Sequence, residues 1–188
     1  MKIRDSGMPP EDYWQTLFNV ELILEKLLIN EKITDAAEFG SGYGTFSIPA
    51  AKKIKGNLFA LDIEDEMIHI LNKKNAEQGI QNIKVIKTDF MKHGTGLQNN
   101  SVDYVMMSNI LHAEEPVQLL NESFRILKPG GKAGIIHWIY SDETPRGPSL
   151  NIIPKPKQCI NWLIKSGFKI LKEKISLPPY HYGLVGFK

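Results

Sequence analysis

Three glycines on alternate positions follow an acid in Glu38-Phe39-Gly40-Ser41-Gly42-Tyr43-Gly44. Such a loop lets backbone approach a ligand where a Cβ would collide. The first N–H groups of a following helix then face whatever is bound. Eighteen residues beyond Gly44, the apolar run Leu58-Phe59-Ala60-Leu61 ends in Asp62, where an acid can accept from both hydroxyls of a ribose. Asp89 follows a third apolar stretch, and Ser108-Asn109-Ile110-Leu111-His112 follows a fourth. The chemistry these residues describe is the holding of a nucleoside-containing ligand across the carboxyl ends of parallel strands.

Two ligand classes fit. Dinucleotide sites use G-x-G-x-x-G, whose third glycine allows close packing of helix on strand. Here the spacing is G-x-G-x-G, and Thr45 follows Gly44. Glu38 stands two residues before the first glycine, where a pyrophosphate would meet like charge and a cation would be welcome. S-adenosylmethionine (SAM), with an ammonium and a sulfonium, suits that acid better than a dinucleotide does.

The elements that must position these residues are legible from hydrophobic periodicity. Pro9-Pro10 and then Glu11 and Asp12 mark a helix start. Leu17, Leu24 and Leu28 give the following segment a helical apolar face to about Asn30. Strands are expected over Ile33–Phe39, Leu58–Ile63, Ile83–Lys87, Val102–Ser108 and Lys132–Tyr140. Helices are expected over 44–55, Glu64–Gln78 and Pro116–Leu127, with Lys128-Pro129-Gly130-Gly131 as a hard turn. Residues 141–158, with four prolines from Pro145 to Pro156, form a long loop of the kind that often carries function. A helix over Gln158–Ser166 and strands Phe168–Ser176 and Tyr182–Phe187, joined at Leu177-Pro178-Pro179, close the chain as an antiparallel pair. Alternating β and α implies an α/β, Rossmann-like fold. The expectation is seven strands, mostly parallel, with helices on both faces and a C-terminal antiparallel hairpin.

The 188 residues suit a single domain spanning 1–188, with 1–30 as an N-terminal segment and cover helix and 141–158 as a substrate loop. A net charge of +2 gives no support to nucleic-acid binding. The lone cysteine, Cys159, excludes a disulfide framework and a cysteine-rich metal site, and its helical pattern reads as a small buried hydrophobe. With no signal-peptide pattern and no run of about 20 apolar residues, the expected setting is cytoplasmic.

Together these residues resemble a class I SAM-dependent methyltransferase. The likeness rests on Glu38 to Gly44, on Leu61-Asp62-Ile63, on Asp89-Phe90, on Val102 to His112, and on Leu127 to Gly131. It extends over about residues 20–188 and is nearest to the small-molecule branch that includes the ubiquinone and menaquinone C-methyltransferases. The resemblance implies SAM as cofactor. Glu38, Gly40, Ser41 and Gly42 would hold its methionine end, Asp62 its ribose, and Ile63, Asp89 and Phe90 its adenine. Ser108 and Asn109 would lie near the methionine moiety or the transferred methyl. Asp103, at the far end of its strand, reads as a structural acid.

The N/D-P-P-Y/F motif of amino-group methyltransferases is absent after strand four, and no metal-ligand cluster resembles that of catechol O-methyltransferases. Methyl transfer needs the nucleophile in line with the S–CH₃ bond and water excluded, plus a base where the acceptor must lose a proton. His112 and His137 are the candidates for that base. Against them stand a plain loop residue and a packed core histidine. Tyr13 and Trp14 at the first helix, Arg146 in the loop, and Arg4 in the N-terminal segment could contact an acceptor. The short segments available to cover it favour a small-molecule methyl acceptor. The alternatives are an RNA or protein methyltransferase and a non-enzymatic SAM-binding interaction module, with an NAD-dependent oxidoreductase disfavoured by Glu38 and the glycine spacing.

Overall fold

The structure is a computed structural model that describes residues 7–188. Arg4 lies outside the described residues. Seven strands form a sheet in the order β3-β2-β1-β4-β5-β7-β6. The strands are β1 (Ala36–Phe39), β2 (Leu58–Asp62), β3 (Ile83–Lys87), β4 (Val102–Ser108), β5 (Leu127–Trp138), β6 (Lys169–Leu177) and β7 (His181–Phe187). The first five pair in parallel, while β7 runs antiparallel to β5 and to β6. This is the mostly parallel Rossmann-like sheet with a C-terminal antiparallel pair expected from the sequence. The chain steps outward from β1 to β3 and then returns to β4. The crevice at the carboxyl ends of β1 and β4 is therefore the switch point where such sheets take ligands.

Side chains on a strand alternate between faces, so neighbours divide between two cores. Ala36, Tyr104 and Met106 pack with Leu17, Leu24, Ala50 and Leu71, from the C-terminal end of α1 (Glu11–Thr16), α2 (Val20–Lys26), α3 (Ser47–Ala51) and α4 (Asp65–Glu77). Ala37, Val105 and Met107 pack with Leu119 and Leu163, from α6 (Pro116–Ile126) and α7 (Pro156–Lys165). No helix among the described residues is long and apolar enough to cross a membrane.

Several boundaries differ from the sequence expectation. The expected continuous N-terminal helix is two short ones, α1 (Glu11–Thr16) and α2. Phe18 is drawn out to bridge Pro179, and the Asn19 side chain caps α2 by accepting from the Leu22 N–H at 3.2 Å. Tertiary pairing and a local cap, worth about 1 kcal/mol, outweigh helical periodicity here. The helix after the glycine loop is only α3, far shorter than 44–55. The Lys128–Gly131 segment is not a separate turn but an irregular start of β5, with Leu127 paired to Val102. A short helix, α5 (Phe90–His93), follows β3, and a 3-10 turn (Leu150–Ile152) lies inside the long loop. Asp103 has the structural role expected of it: it accepts from the N–H groups of Thr34 and Asp35 and from Lys128 Nζ.

Candidate active site

The glycine loop leaves β1 and is pinned at once to β2. The N–H groups of Gly40 and Ser41 both donate to the Leu61 carbonyl, at 2.8 and 3.0 Å. The Gly42 N–H donates to Asp62 Oδ2 at 2.8 Å, while Asp62 Oδ1 accepts from the N–H groups of Ile63 and Glu64 at 2.8 and 3.0 Å. The amides of Gly40, Ser41 and Gly42 are thus used within the protein. Of the three, the Gly42 amide helps to fix the Asp62 carboxylate, which borders the cleft. Gly42 has φ +51° and lies under Met8, whose Cε would sit 3.1 Å from a Cβ there. Gly44 serves packing: a Cβ would come 2.5 Å from Leu71 Cδ1 of α4.

Glu38 is buried beneath this loop and borders the same cleft. Burial pushes its carboxyl up to about 8, partly opposed by the hydrogen bond donated by Ser47 Oγ. Three buried hydroxyls on the cleft wall, Ser41 Oγ, Thr45 Oγ1 and Ser108 Oγ, have no partner among the described residues. Further along the wall, Asp89 caps α5 by accepting from the Lys92 N–H. Phe90 packs against Phe39 with ring centres 5.2 Å apart. All ten cofactor-site candidates named from the sequence border this one cleft.

The other end of the cleft is built differently. Asn109 leaves β4 with φ +55°, tied to β5 by its N–H to the Ile136 carbonyl at 2.8 Å. Trp14, Phe46 and Trp138 supply aromatic walls, and Phe18 packs behind them, 4.8 Å from the Trp14 ring and 5.1 Å from Phe46. Arg146 closes the rim by donating to the Gly7 carbonyl. The N-terminal segment is further fastened by Tyr43 Oη, which donates to the Pro9 carbonyl at 2.9 Å. His112 borders the cleft, with Nδ1 3.4 Å from Nε2 of His137. It also borders a neighbouring cleft formed with Tyr140, Leu150 and Trp162. The long loop therefore splits between the two clefts, Arg146 to Pro148 on the first and Leu150 to Lys155 on the second.

His137 is fully buried and stands behind His112 rather than on the wall of either cleft. Burial, with His112 and His181 nearby, holds its imidazole well below the usual histidine range. Tyr13 is exposed and not on the wall, while its neighbour Trp14 is. Sequence reading missed Thr45 and Phe46, which directly follow the glycine loop, and Met8 and Trp138, which reach the cleft from distant segments. It also missed His181, whose one signal was an isolated polar residue at the start of an apolar strand.

A family profile described as the methyltransferase domain matches residues 36–131. The chain belongs to the class I SAM-dependent methyltransferase family. A ubiquinone/menaquinone biosynthesis C-methyltransferase of Rickettsia prowazekii is 32% identical over 180 residues, covering 87% of this chain and 68% of the relative. A demethylmenaquinone methyltransferase of Listeria monocytogenes is 29% identical over 118 residues, covering 59% of this chain and 47% of the relative. In these latter alignments the chain spans about half the length of the relatives it matches. A SAM-dependent methyltransferase from Aquifex aeolicus shares the fold, with TM-score 0.82, 24% identity, and 96% and 99% of the two chains covered.

SAM is the cofactor of this family, and the cleft residues fit it on structural grounds. A buried acid with no cation beside it among the described residues, a carboxylate clamped by three backbone amides, and three orphaned hydroxyls are what a ligand with an ammonium and a ribose would complete.

Proposed function

We propose that this chain transfers a methyl group from SAM to a small-molecule acceptor. The observation that carries the reading is the convergence of Glu38, Asp62 and Asp89, each at or just beyond the carboxyl end of a different strand, on one cleft. In this reading Asp62 takes the ribose hydroxyls, and Ile63, Asp89 and Phe90 hold the adenine. Gly40, Ser41, Gly42 and Glu38 hold the methionine end, with Ser108 and Asn109 beside the reacting methyl. Bound SAM supplies an electrophilic methyl on a sulfonium.

The protein's own work is to orient and to exclude water, and orientation alone can account for large rate gains. Trp14, together with Phe46 and Trp138, would hold a compact acceptor by apolar and ring contact, with Arg146 at the rim. Where the acceptor must lose a proton, His112 would take it and His137 would orient the His112 ring. The burial of His137 supports that supporting role rather than direct contact. Residues 1–188 are read as one domain, and residues 141–158 as the segment that covers the acceptor. The setting we infer is the cytoplasm, where the buried thiol of Cys159, pushed up to about 12 by burial, would persist unpaired.

Calorimetric titration with SAM, S-adenosylhomocysteine and NAD tests the reading. Binding of both sulfur nucleosides and not of NAD is the expected result. Binding of NAD alone, or of none of the three, would overturn it.

A further inference from the structure

Beside the aromatic walls lies a contact that the proposed mechanism does not use. Nδ2 of Asn109 is 3.2 Å from Nε2 of His181. His181 begins β7, opposite Trp138 of β5, and is 1% exposed. Its ring is held from two sides, 4.5 Å from the Phe18 ring and 4.2 Å from the Trp138 ring. The ring can neither turn nor reach the cleft, whose wall it does not join. Asn109 does join that wall, is 8% exposed, and its Oδ1 has no partner among the described residues.

Hydrogen-bond accounting decides what the contact does. An amide nitrogen only donates, so Nε2 of His181 must be the bare, accepting nitrogen of a neutral ring. Burial keeps that ring neutral, holding it down to about 3. The imidazole proton then sits on Nδ1, which is also unpartnered among the described residues. A plain packed core would not keep two orphaned polar groups at one contact; such groups mark sites where something else must be satisfied. The left-handed backbone at 109 suits asparagine but does not demand its amide, since glycine adopts it more easily.

We propose that His181 is a positioning residue: it locks the Asn109 amide so that Oδ1 faces the cleft and accepts a hydrogen bond from an O–H or N–H on the methyl acceptor. This rests on the methyltransferase reading above. It adds a specificity rule, that acceptors carrying a donor at this point are preferred over the same molecules already alkylated there. Product carrying a methyl on that atom would lose the bond and leave more readily.

Two measurements test it. Long-range ¹H–¹⁵N NMR of the full chain should show His181 neutral with its proton on Nδ1. A proton on Nε2 would turn the amide round and overturn the proposal. The second uses phenol and anisole as probes, which differ by the donor and fit aromatic walls, titrated into the S-adenosylhomocysteine complex. Phenol should bind about fivefold tighter, the scale of one neutral hydrogen bond. His181→Phe, which keeps the ring stack, should remove that preference and leave S-adenosylhomocysteine affinity within about twofold, and Asn109→Gly, which keeps the backbone, should remove the preference as well. Equal affinity of the probes in the wild type, binding of neither, or a preference surviving in both variants would overturn the proposal. Failure of the wild type to bind S-adenosylhomocysteine would instead overturn the methyltransferase reading on which it rests.

Discussion

The two ends of the cleft meet the same physical problem with opposite charges. Under the glycine loop, burial raises Glu38 to about 8; behind the aromatic walls, burial lowers His181 to about 3. Desolvation penalises whichever form is charged, so near neutrality both groups are uncharged in the free protein. The difference lies in what can reach them. Glu38 borders the cleft, where a cationic ligand can restore its charge. His181 is sealed between two rings and stays neutral. One end is built to change its ionisation when ligand arrives, and the other to keep a fixed pattern of donors and acceptors.

The largest effect that would break this contrast is on stability in acid. His181 has a folded pKa below its unfolded one, so its contribution is fully present above about pH 6.5 and is lost as pH falls toward 3. The full span is on the order of 5 kcal/mol, comparable to the whole stability of many domains. Denaturant unfolding across that range should steepen with acid, and His181→Phe should take up about one proton fewer on unfolding. An unchanged slope would mean that His181 is not sealed.

Next in size is Asp62→Ala. Loss of a charge-assisted contact to the ribose should cost about 1.5–3 kcal/mol of SAM affinity, read by calorimetry. Unchanged affinity would remove Asp62 from the cofactor site.

Glu38 gives the sharper test of the cofactor end. Its raised pKa means that stability in the free protein is lost as pH rises from about 4.5 through 8, as the buried carboxyl is forced to ionise. A cationic ligand reverses the preference. SAM affinity should therefore rise by up to about tenfold per pH unit below 8, with proton release visible as a dependence of the apparent binding enthalpy on the buffer. Glu38→Gln should abolish both effects.

The smallest effect is at the rim. Arg146→Ala frees the Gly7 carbonyl and loosens the segment over Gly42. Release of S-adenosylhomocysteine, followed through Trp14 and Trp138 fluorescence, should quicken by about fivefold, the scale of one hydrogen bond. No change in that rate would mean that the segment is not a cover.

The same division separates what was legible from what was not. Asp62, Asp89 and the glycine loop could be located because each lies at or just beyond the end of a strand, and the carboxyl ends of parallel strands are where ligands lie. Trp138, Phe46 and His181 gave no comparable signal. An aromatic or a lone histidine on an apolar strand reads as core, and only the pairing of β7 with β5 brings His181 beside Asn109. Tyr13 and Trp14 looked equivalent at the start of a helix, yet only Trp14 reaches the wall. The chain breaks out of that short helix at Phe18, which bridges Pro179 far along the chain.

By itself, then, the sequence determined the β/α alternation, the parallel sheet, and the set of strand-end residues that share the cleft, because these follow from local periodicity and from residues adjacent to strand ends. Tertiary structure alone decided that the Gly42 amide serves Asp62, that His137 stands behind His112, and that His181 meets Asn109. Those contacts join residues 20 to 72 positions apart. Burial, which sets the charge state of Glu38 and His181, is a property of the packed surroundings and not of either residue's neighbours in the chain.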